Sequence, residues 1–318
     1  MRDVCVVGLG LIGGSVLRAA AAAGRAVWGA TASGQDAEAA RADGFDVRAL
    51  ADALARARDR DALVVVAVPL PAVEEVLRQV PDGVRVTDVV SVKGPVGDLV
   101  RRVAPLVRHV GGHPMAGTSA SGWAAGRADL FRNAAWVVTA EEDTDLDVLT
   151  DVVELALDAK AHVVPTTAVE HDAAVARISH LPHILAAVLA SVGADGGPLA
   201  LALAAGSFGD GTRVAASRPE LVRAMCEGNR TALLGAVDDA LGRLGAARGS
   251  LASTGGLAKT IEAGHRARQA LHDLQSAERT DLTIDLTSPQ ALEALRALGA
   301  RGGRIIGLTG NTALARTS

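Results

Sequence analysis

Residues 4–15 read Val-Cys-Val-Val-Gly-Leu-Gly-Leu-Ile-Gly-Gly-Ser, and this stretch decides the fold of the first half of the chain. A β-branched run precedes Gly8, Gly10 and Gly13 at G-x-G-x-x-G spacing, and the apolar helical stretch Leu17–Ala23 follows. In that context Gly8 permits a tight turn, Gly10 lets the backbone approach a pyrophosphate, and Gly13 lets the helix pack on the strand. The phosphates would bind the N–H groups at the helix start. The pattern predicts a dinucleotide site, with a structural βα turn as the alternative.

The adenosine end of this predicted site does not distinguish NAD from NADP. NAD favours an acid after the second strand, whereas NADP favours small polar and basic residues. Here the strand runs into Thr31-Ala32-Ser33, with no acid before Asp36 and no arginine before Arg41. Either cofactor is therefore compatible with the sequence. The residues predicted to contact the cofactor are Gly8, Leu9, Gly10, Leu11, Ile12, Gly13, Thr31, Val68, Pro69 and Ser91.

Composition limits the class of protein. Of the 318 residues, 49% are hydrophobic and 21% are charged, which is typical of a globular protein. The net charge of −4 offers no attraction to nucleic acid or to an anionic membrane. Cys5 and Cys226 form neither a disulfide framework nor a metal cluster. No apolar run approaches a membrane span uninterrupted, and the chain begins on its first strand without room for a signal peptide, so we expect a cytoplasmic protein.

The periodicity changes near Pro165. Before it, short β-branched runs alternate with helical segments, which predicts an α/β domain with a Rossmann-type, doubly wound parallel sheet over residues 1–165. Residues 166–276 are almost entirely helical, with long segments predicted at Ile184–Val192, Leu221–Leu241 and Gly255–Leu274. Residues 277–318 mix both patterns and suit either a small βαβ-like appendage or a loosely packed tail.

Two segments at predicted strand ends carry candidate catalytic residues. Ligands of open α/β sheets bind at the carboxyl ends of the strands, where Ser91-Val92-Lys93 and Gly112-His113-Pro114 are expected. A histidine in a glycine-lined loop suits a general base, because its ordinary pKa lies near neutrality. The alternatives are that Ser91 caps the next helix, that Lys93 is solvated, and that His113 is bonded within a tight loop.

The helical half contains two further polar motifs. Ser179-His180-Leu181-Pro182-His183 places two histidines at i, i+3, which resembles metal-ligand spacing, but no additional ligand completes a set and we predict no metal site. Gly206-Ser207-Phe208-Gly209-Asp210-Gly211-Thr212-Arg213 predicts a glycine-rich turn that presents an arginine. Arginine is suited to a bidentate grip on a carboxylate.

Taken together and in order, these motifs resemble the prephenate/arogenate dehydrogenase family of tyrosine biosynthesis. The resemblance covers roughly residues 3–275. Its histidine and arginine motifs are more diagnostic than the glycine fingerprint. They are Gly112-His113-Pro114-Met115-Ala116-Gly117, His171-Asp172, Ser179-His180-Leu181-Pro182-His183 and Asp210-x-Thr212-Arg213.

The resemblance implies a Rossmann-type domain followed by a helical dimerisation domain, a homodimer, and a small-molecule substrate held between the domains. By motif, His113 would take the proton from the ring hydroxyl as hydride leaves for the nicotinamide, and Ser91 would bond that hydroxyl or the nicotinamide side. Arg213 would bind a substrate carboxylate, with His183 or His180 helping to orient it, and Lys93 would lie at the substrate site. Loss of CO₂ would then aromatise the ring.

The sequence leaves several alternatives open. An acid that relatives often carry shortly after the His-Pro motif is replaced by Ser119, and the ribose-binding acid is missing. A 4-amino-4-deoxyprephenate dehydrogenase shares the same motifs. A β-hydroxyacid dehydrogenase or imine reductase would need a lysine early in the second domain, whereas Lys259 lies late. A non-catalytic nicotinamide sensor would leave His113, Ser91 and Arg213 without a purpose.

Overall fold

The structure is a computed structural model that describes residues 1–118 and 120–317. Its strands, in chain order, are β1 (Val4–Val7), β2 (Val27–Ala30), β3 (Leu63–Val66), β4 (Arg85–Asp88), β5 (Arg108–Pro114), β6 (Ala135–Thr139), β7 (His162–Thr166), β8 (Thr280–Asp285), β9 (Arg304–Thr309) and β10 (Thr312–Thr317). The departure noted at Ser119 lies outside the described residues.

The α-helices follow the same chain order. They are α1 (Leu11–Ala22), α2 (Gly34–Ala42), α3 (Leu50–Asp59), α4 (Leu70–Leu77), α5 (Gly94–Val103), α6 (Leu146–Asp158), α7 (Ala168–Val175), α8 (Leu181–Asp195), α9 (Gly197–Ala202), α10 (Gly206–Thr212), α11 (Pro219–Gly228), α12 (Arg230–Ser253), α13 (Ala258–Ser276) and α14 (Ala291–Ala300). Short 3₁₀ turns cover Trp123–Ala125 and Arg213–Ala216, and a π-helical turn, Ala176–His180, joins α7 to α8.

The strands form one sheet in the order β2-β1-β3-β4-β5-β6-β7-β9-β10-β8. From β2 to β5 each neighbouring pair is parallel. Along β1, Val4 and Val6 belong to one core cluster and Cys5 and Val7 to the cluster on the opposite face, because successive side chains alternate between the faces of a strand. The sheet is therefore covered on both sides, as the unbroken apolar runs predict.

One strand pair departs from the predicted parallel pattern. β5 and β6 are antiparallel, with Gly112 opposite Val138 and His113 opposite Val137. Between these strands, residues 115–118 and 120–134 contain only the 3₁₀ turn. A parallel return normally requires a helical crossover on one face of the sheet. Without one, the chain turns back beside β5, and this pairing supports the strand end that carries His113.

The chain divides into two compact units. The first unit comprises residues 1–172, 218–228 and 281–317, and the second comprises residues 173–217 and 229–280. The first therefore extends past the predicted boundary near Pro165 and includes α11. Residues 281–317 of the last segment also belong to the first unit.

That last segment folds as strand, helix and two strands. β9 pairs antiparallel with β7 and β10, which extends the sheet. Leu295, Leu298, Ile305 and Ala313 are buried in the main core cluster. β10 is a third strand of this segment, which a βαβ-like appendage does not include.

The helical segments of the second half differ from prediction in two places. The predicted helix Leu221–Leu241 is two helices, α11 and α12, separated at Asn229. The predicted glycine-rich turn before Arg213 is helix α10.

The 28-residue helical stretch Ala168–Asp195 is long and apolar enough to cross a membrane by length and composition alone. The stretch is interrupted by charged residues and by Pro182, so it does not contradict the expectation, which concerned uninterrupted apolar runs. His171 and Asp172, near the start of the stretch, are buried and belong to the first unit. Its apolar side chains have another explanation in an oligomer interface, proposed below.

Candidate active site

The turn between β1 and α1 has the shape that a dinucleotide phosphate requires. Gly8 has φ of +100°, and a Cβ there would lie 2.5 Å from the Ala67 carbonyl oxygen. A Cβ on Gly13 would lie 1.8 Å from the Gly8 carbonyl oxygen, so only glycine allows α1 to pack so closely on the turn. A Cβ on Gly10, by contrast, would meet no protein atom within 4 Å. Gly10 therefore borders open space at the helix start.

The electrostatics of this helix start also fit an anion. Gly10 is the N-cap of α1, no side chain caps the helix, and its first turn contains no acidic residue. The backbone N–H groups and the positive end of the helix dipole are thus directed at the space beside Gly10. The residues present therefore fit the pyrophosphate of a dinucleotide.

We expect Gly10→Ala to weaken cofactor binding without unfolding the protein. Gly10 has φ of −76° and open space beside its Cα, so alanine adds no strain, but its methyl group fills the position where phosphate would lie. The Kd for NAD should rise about tenfold or more, equivalent to about 1.4 kcal/mol, with an unchanged Tm. Gly242→Ala, at another open helical glycine, is the matched control. An unchanged Kd in Gly10→Ala would show that the phosphates bind elsewhere.

Four other predicted cofactor residues lie near the same edge of the sheet and differ in how far their side chains are exposed. Leu11 and Ile12 are half-buried in the first turn of α1, and Val68 is half-buried before Pro69, the N-cap of α4. Leu9 is fully buried, so only its backbone can face a cofactor.

At the predicted ribose end, the first acid and the first arginine after β2 both have other partners. Asp36 Oδ1 accepts a hydrogen bond from the Trp123 backbone N–H at 2.8 Å. The Arg41 guanidinium donates to the Val47 carbonyl oxygen at 3.0 and 3.2 Å. Thr31 is half-buried immediately after β2, and its hydroxyl accepts from the Ser33 N–H. Asp36 and Arg41 are therefore each engaged within the protein, and we expect the choice between NAD and NADP to depend on Thr31 or a neighbour of it.

The carboxyl ends of β4 and β5 bring together two predicted catalytic segments. Asp88 at the end of β4 is in register with Gly111 in β5, so Ser91 and His113 both follow that point at the same edge. Ser91 is half-buried and does not cap α5, whose N-cap is Lys93. The structure thus does not support the capping alternative for Ser91.

His113 is half-buried near the end of β5 and contacts a second histidine. Its Nδ1 lies 2.9 Å from Nε2 of His171, and the two rings meet edge to face with centroids 5.1 Å apart. His171 is 3% exposed, and its Nδ1 lies 2.7 Å from Oδ1 of Asp172. A histidine, a buried histidine and a carboxylate therefore form a continuous hydrogen-bonded chain.

Asp172 is held at the start of α5. Its Oδ1 accepts from the Lys93 backbone N–H and its Oδ2 from the Gly94 N–H, each at 2.8 Å. Burial alone would raise the pKa of this carboxyl, but the hydrogen bonds from His171, Lys93 and Gly94 hold the pKa below its usual value. Asp172 is therefore an anion bound at a helix N-terminus.

Lys93 has a different place from the predicted one. Its side chain is 1% exposed, and its ammonium pairs with Asp88 and donates to the Gly112 carbonyl oxygen. Burial lowers the pKa of this ammonium, and the Asp88 carboxylate opposes that effect. His109 Nε2 contacts the second Asp88 oxygen at 3.0 Å. We therefore replace the predicted substrate contact, and the solvated alternative, with a role in fixing the backbone beside His113.

The predicted substrate residues of the second unit fall into two groups. His180 is fully buried, with Nδ1 3.1 Å from the Asn229 side-chain nitrogen, so its placement favours a packing role over substrate contact. His183 is half-buried, with Nδ1 2.8 Å from the Ser179 carbonyl oxygen. Arg213 follows α10 at the protein surface, and no ion pair to it occurs among residues 1–118 and 120–317.

The sequence shows the His171-Asp172 motif, but no role was predicted for either residue. The available signal was the adjacent histidine and carboxylate, which is a pairing typical of an oriented imidazole. In the described part of the chain, no group of three or more potential ligands is arranged to hold a metal ion.

Comparison with known proteins agrees with this geometry. Residues 15–165 match the family profile of the prephenate dehydrogenase nucleotide-binding domain, and residues 167–255 match that of the prephenate dehydrogenase dimerization domain. A crystal structure from Corynebacterium glutamicum, assigned as a prephenate dehydrogenase, is 43% identical with a TM-score of 0.88. The likeness covers 95% of this chain and 98% of that one.

Two curated relatives extend the comparison. Prephenate dehydrogenase of Bacillus subtilis is 35% identical over 252 residues, which are 75% of this chain and 67% of that protein. Cyclohexadienyl dehydrogenase of Zymomonas mobilis is 30% identical over 295 residues, which are 86% of this chain and 98% of that protein. The matches confirm the predicted fold class, a Rossmann-type sheet followed by a helical dimerisation domain, and the predicted resemblance. The chain belongs to the prephenate dehydrogenase family.

Proposed function

We propose that the chain oxidises and decarboxylates a cyclohexadienol, prephenate or arogenate, to give 4-hydroxyphenylpyruvate or tyrosine. Family membership identifies it as a dehydrogenase that uses NAD or NADP. The observation that carries the proposal is the His113 imidazole, which lies near the end of β5, at the edge where the phosphate-binding turn follows β1. At such an edge a base and a dinucleotide meet the same substrate.

The reaction can be assigned to residues of this chain. His113 accepts the proton of the ring hydroxyl, which raises electron density at C4 and favours departure of its hydride. The bound nicotinamide supplies the hydride acceptor. Ser91 bonds the same hydroxyl or the nicotinamide side, and Arg213 grips a substrate carboxylate. The carbon–carboxylate bond then breaks, CO₂ leaves, and its electron pair aromatises the ring.

A substrate panel tests the proposed function. Prephenate, arogenate and the 4-amino analogue of prephenate should each be assayed with NAD and with NADP, following formation of the reduced cofactor. We expect turnover of prephenate or arogenate. Turnover of the amino analogue alone would establish the 4-amino-4-deoxyprephenate dehydrogenase alternative, and cofactor binding without turnover of any of the three would identify a sensor.

Cofactor choice depends on Thr31. No carboxylate there repels a 2′-phosphate, and Arg41 is bound to Val47, so we expect only a modest preference for either cofactor. Thr31→Asp should shift kcat/KM toward NAD, by bonding the ribose and repelling the phosphate, whereas Thr31→Asn is the uncharged control. A wild-type preference for NAD above about 10³-fold, some 4 kcal/mol, would show that another acid contacts the ribose.

We also propose that the second unit pairs with a second copy of the chain. Apolar side chains remain exposed along α8 and α12, among them Val188, Val192, Leu234 and Leu241. Exposed apolar surface of this kind is typical of protein–protein contacts, and this region matches the family's dimerisation domain.

The two thiols, Cys5 and Cys226, are unbridged, which agrees with the proposed reducing, cytoplasmic location.

A further inference from the structure

We propose that His171 and Asp172 are positioning residues that keep the proton of neutral His113 on Nδ1, so that Nε2 receives the substrate proton. This inference rests on the proposed function, because it concerns the same base. It explains why a buried histidine and a buried carboxylate lie behind the predicted catalytic residue. Asp172 lies in α7 and is bound by the start of α5.

The first step is that Asp172 is ionised and immobile. Two backbone N–H groups at the start of α5 donate to its two oxygens at 2.8 Å. Gly94 makes this approach possible, because a Cβ there would lie 3.0 Å from Asp172 Oδ2. A carboxylate held by two donors and by the positive end of a helix dipole is stabilised as an anion.

The second step follows from the direction of each hydrogen bond. An ionised carboxylate only accepts, so His171 donates its Nδ1–H to Asp172. Neutral His171 then has a lone pair on Nε2, and the 2.9 Å contact requires His113 to donate from Nδ1. In neutral His113 the second nitrogen, Nε2, consequently carries no proton. This is the tautomer that a general base needs if Nε2 faces the substrate hydroxyl.

The third step concerns the charge that develops during the reaction. When Nε2 of His113 accepts the substrate proton, the proton on Nδ1 can move to Nε2 of His171. The positive charge then lies on the imidazole that Asp172 contacts at 2.7 Å. A carboxylate that orients a histidine and stabilises its cationic form is the logic of the Ser-His-Asp triad. The Asp172 carboxylate also accepts from the backbone N–H of Lys93. It therefore links the two histidines to the segment that starts at Ser91, two residues before Lys93.

The test compares His171→Leu with His171→Gln. Leucine removes the acceptor, whereas the glutamine amide oxygen can still accept from His113 Nδ1. We expect His171→Leu to lower kcat about 10²-fold, a part of what general acid–base catalysis contributes, with unchanged KM and unchanged Kd for NAD. Glutamine should restore at least a tenth of the wild-type kcat. His265→Asn, on the exposed surface of α13, is the control.

A role in packing alone would give a different outcome. The leucine and glutamine variants would then lose Tm alike, and the folded fraction would retain its kcat. That result would overturn the inference.

A spectroscopic measurement keeps the inference testable if His171→Leu does not fold. The ¹⁵N shifts of the imidazole nitrogens in histidine-labelled wild-type protein, with His113→Asn for assignment, report the tautomer directly. The proton of His113 should reside on Nδ1, and a proton on Nε2 would contradict the inference. The proposed function has a separate test, which does not depend on the tautomer of His113. It would be contradicted if the His113→Asn enzyme remained active.

Discussion

We expect replacement of His113 with asparagine to lower kcat by about 10²–10⁴-fold, which is the usual contribution of general acid–base catalysis. Asparagine approximates the size of the ring and retains polar atoms near His171, but it cannot take a proton at neutral pH. The binding of NAD should be unchanged, because the phosphate turn at Gly8–Gly13 lies on another strand–helix connection. Steady-state kinetics with the preferred substrate, together with a cofactor titration, provide the measurement.

The histidine control is His265→Asn, which alters an exposed side chain on α13. It should match wild type in kcat, KM and Tm. A loss of activity below tenfold in His113→Asn would remove His113 from the role of base, and the proposed mechanism would then need another proton acceptor.

We expect replacement of Arg213 with alanine to raise KM for the substrate about 30-fold or more. Arg213 has no ion-pair partner among the described residues, so its charge is available to an incoming carboxylate. Truncating one side of a desolvated charge pair costs roughly 2–5 kcal/mol, and the lower end of that range corresponds to about 30-fold. Arg213→Lys should recover part of the loss, because lysine keeps the charge without the bidentate fork.

Cofactor affinity separates the possible outcomes for Arg213. Arg248→Ala, another exposed arginine of the second unit, should leave KM and the Kd for NAD as in wild type. If Arg213→Ala weakens NAD binding as much as substrate binding, Arg213 contacts the cofactor and the carboxylate must have another partner.

The fold of the first unit was predictable because its signals are local. The strand before Gly8, the glycine spacing and the apolar helix after Gly13 all lie within twenty residues, and each has a direct steric reason in the structure. The antiparallel turn from β5 to β6 was not predictable in this way. It depends on the absence of a crossover helix in residues 115–118 and 120–134, a stretch whose sequence has no clear periodicity.

The site was predictable only in part, for a related reason. His113 and Ser91 were found because they follow strands, and strand ends share an edge. The pairing of His171 and Asp172 with that edge joins residues 58 or more positions apart, which neither spacing nor periodicity reveals. The sequence located Lys93 at the correct strand end but predicted the wrong contact for its side chain. That side chain is buried and pairs with Asp88 instead of facing the substrate.

In the proposed reaction, hydride leaves ring C4 and CO₂ is lost from the same substrate molecule. Prephenate or arogenate carrying deuterium at C4, whichever the enzyme uses, tests it directly in the wild-type protein. We expect deuterium in the reduced nicotinamide and one CO₂ released for each reduced cofactor. Reduced cofactor without deuterium, or cofactor reduction without release of CO₂, would contradict it.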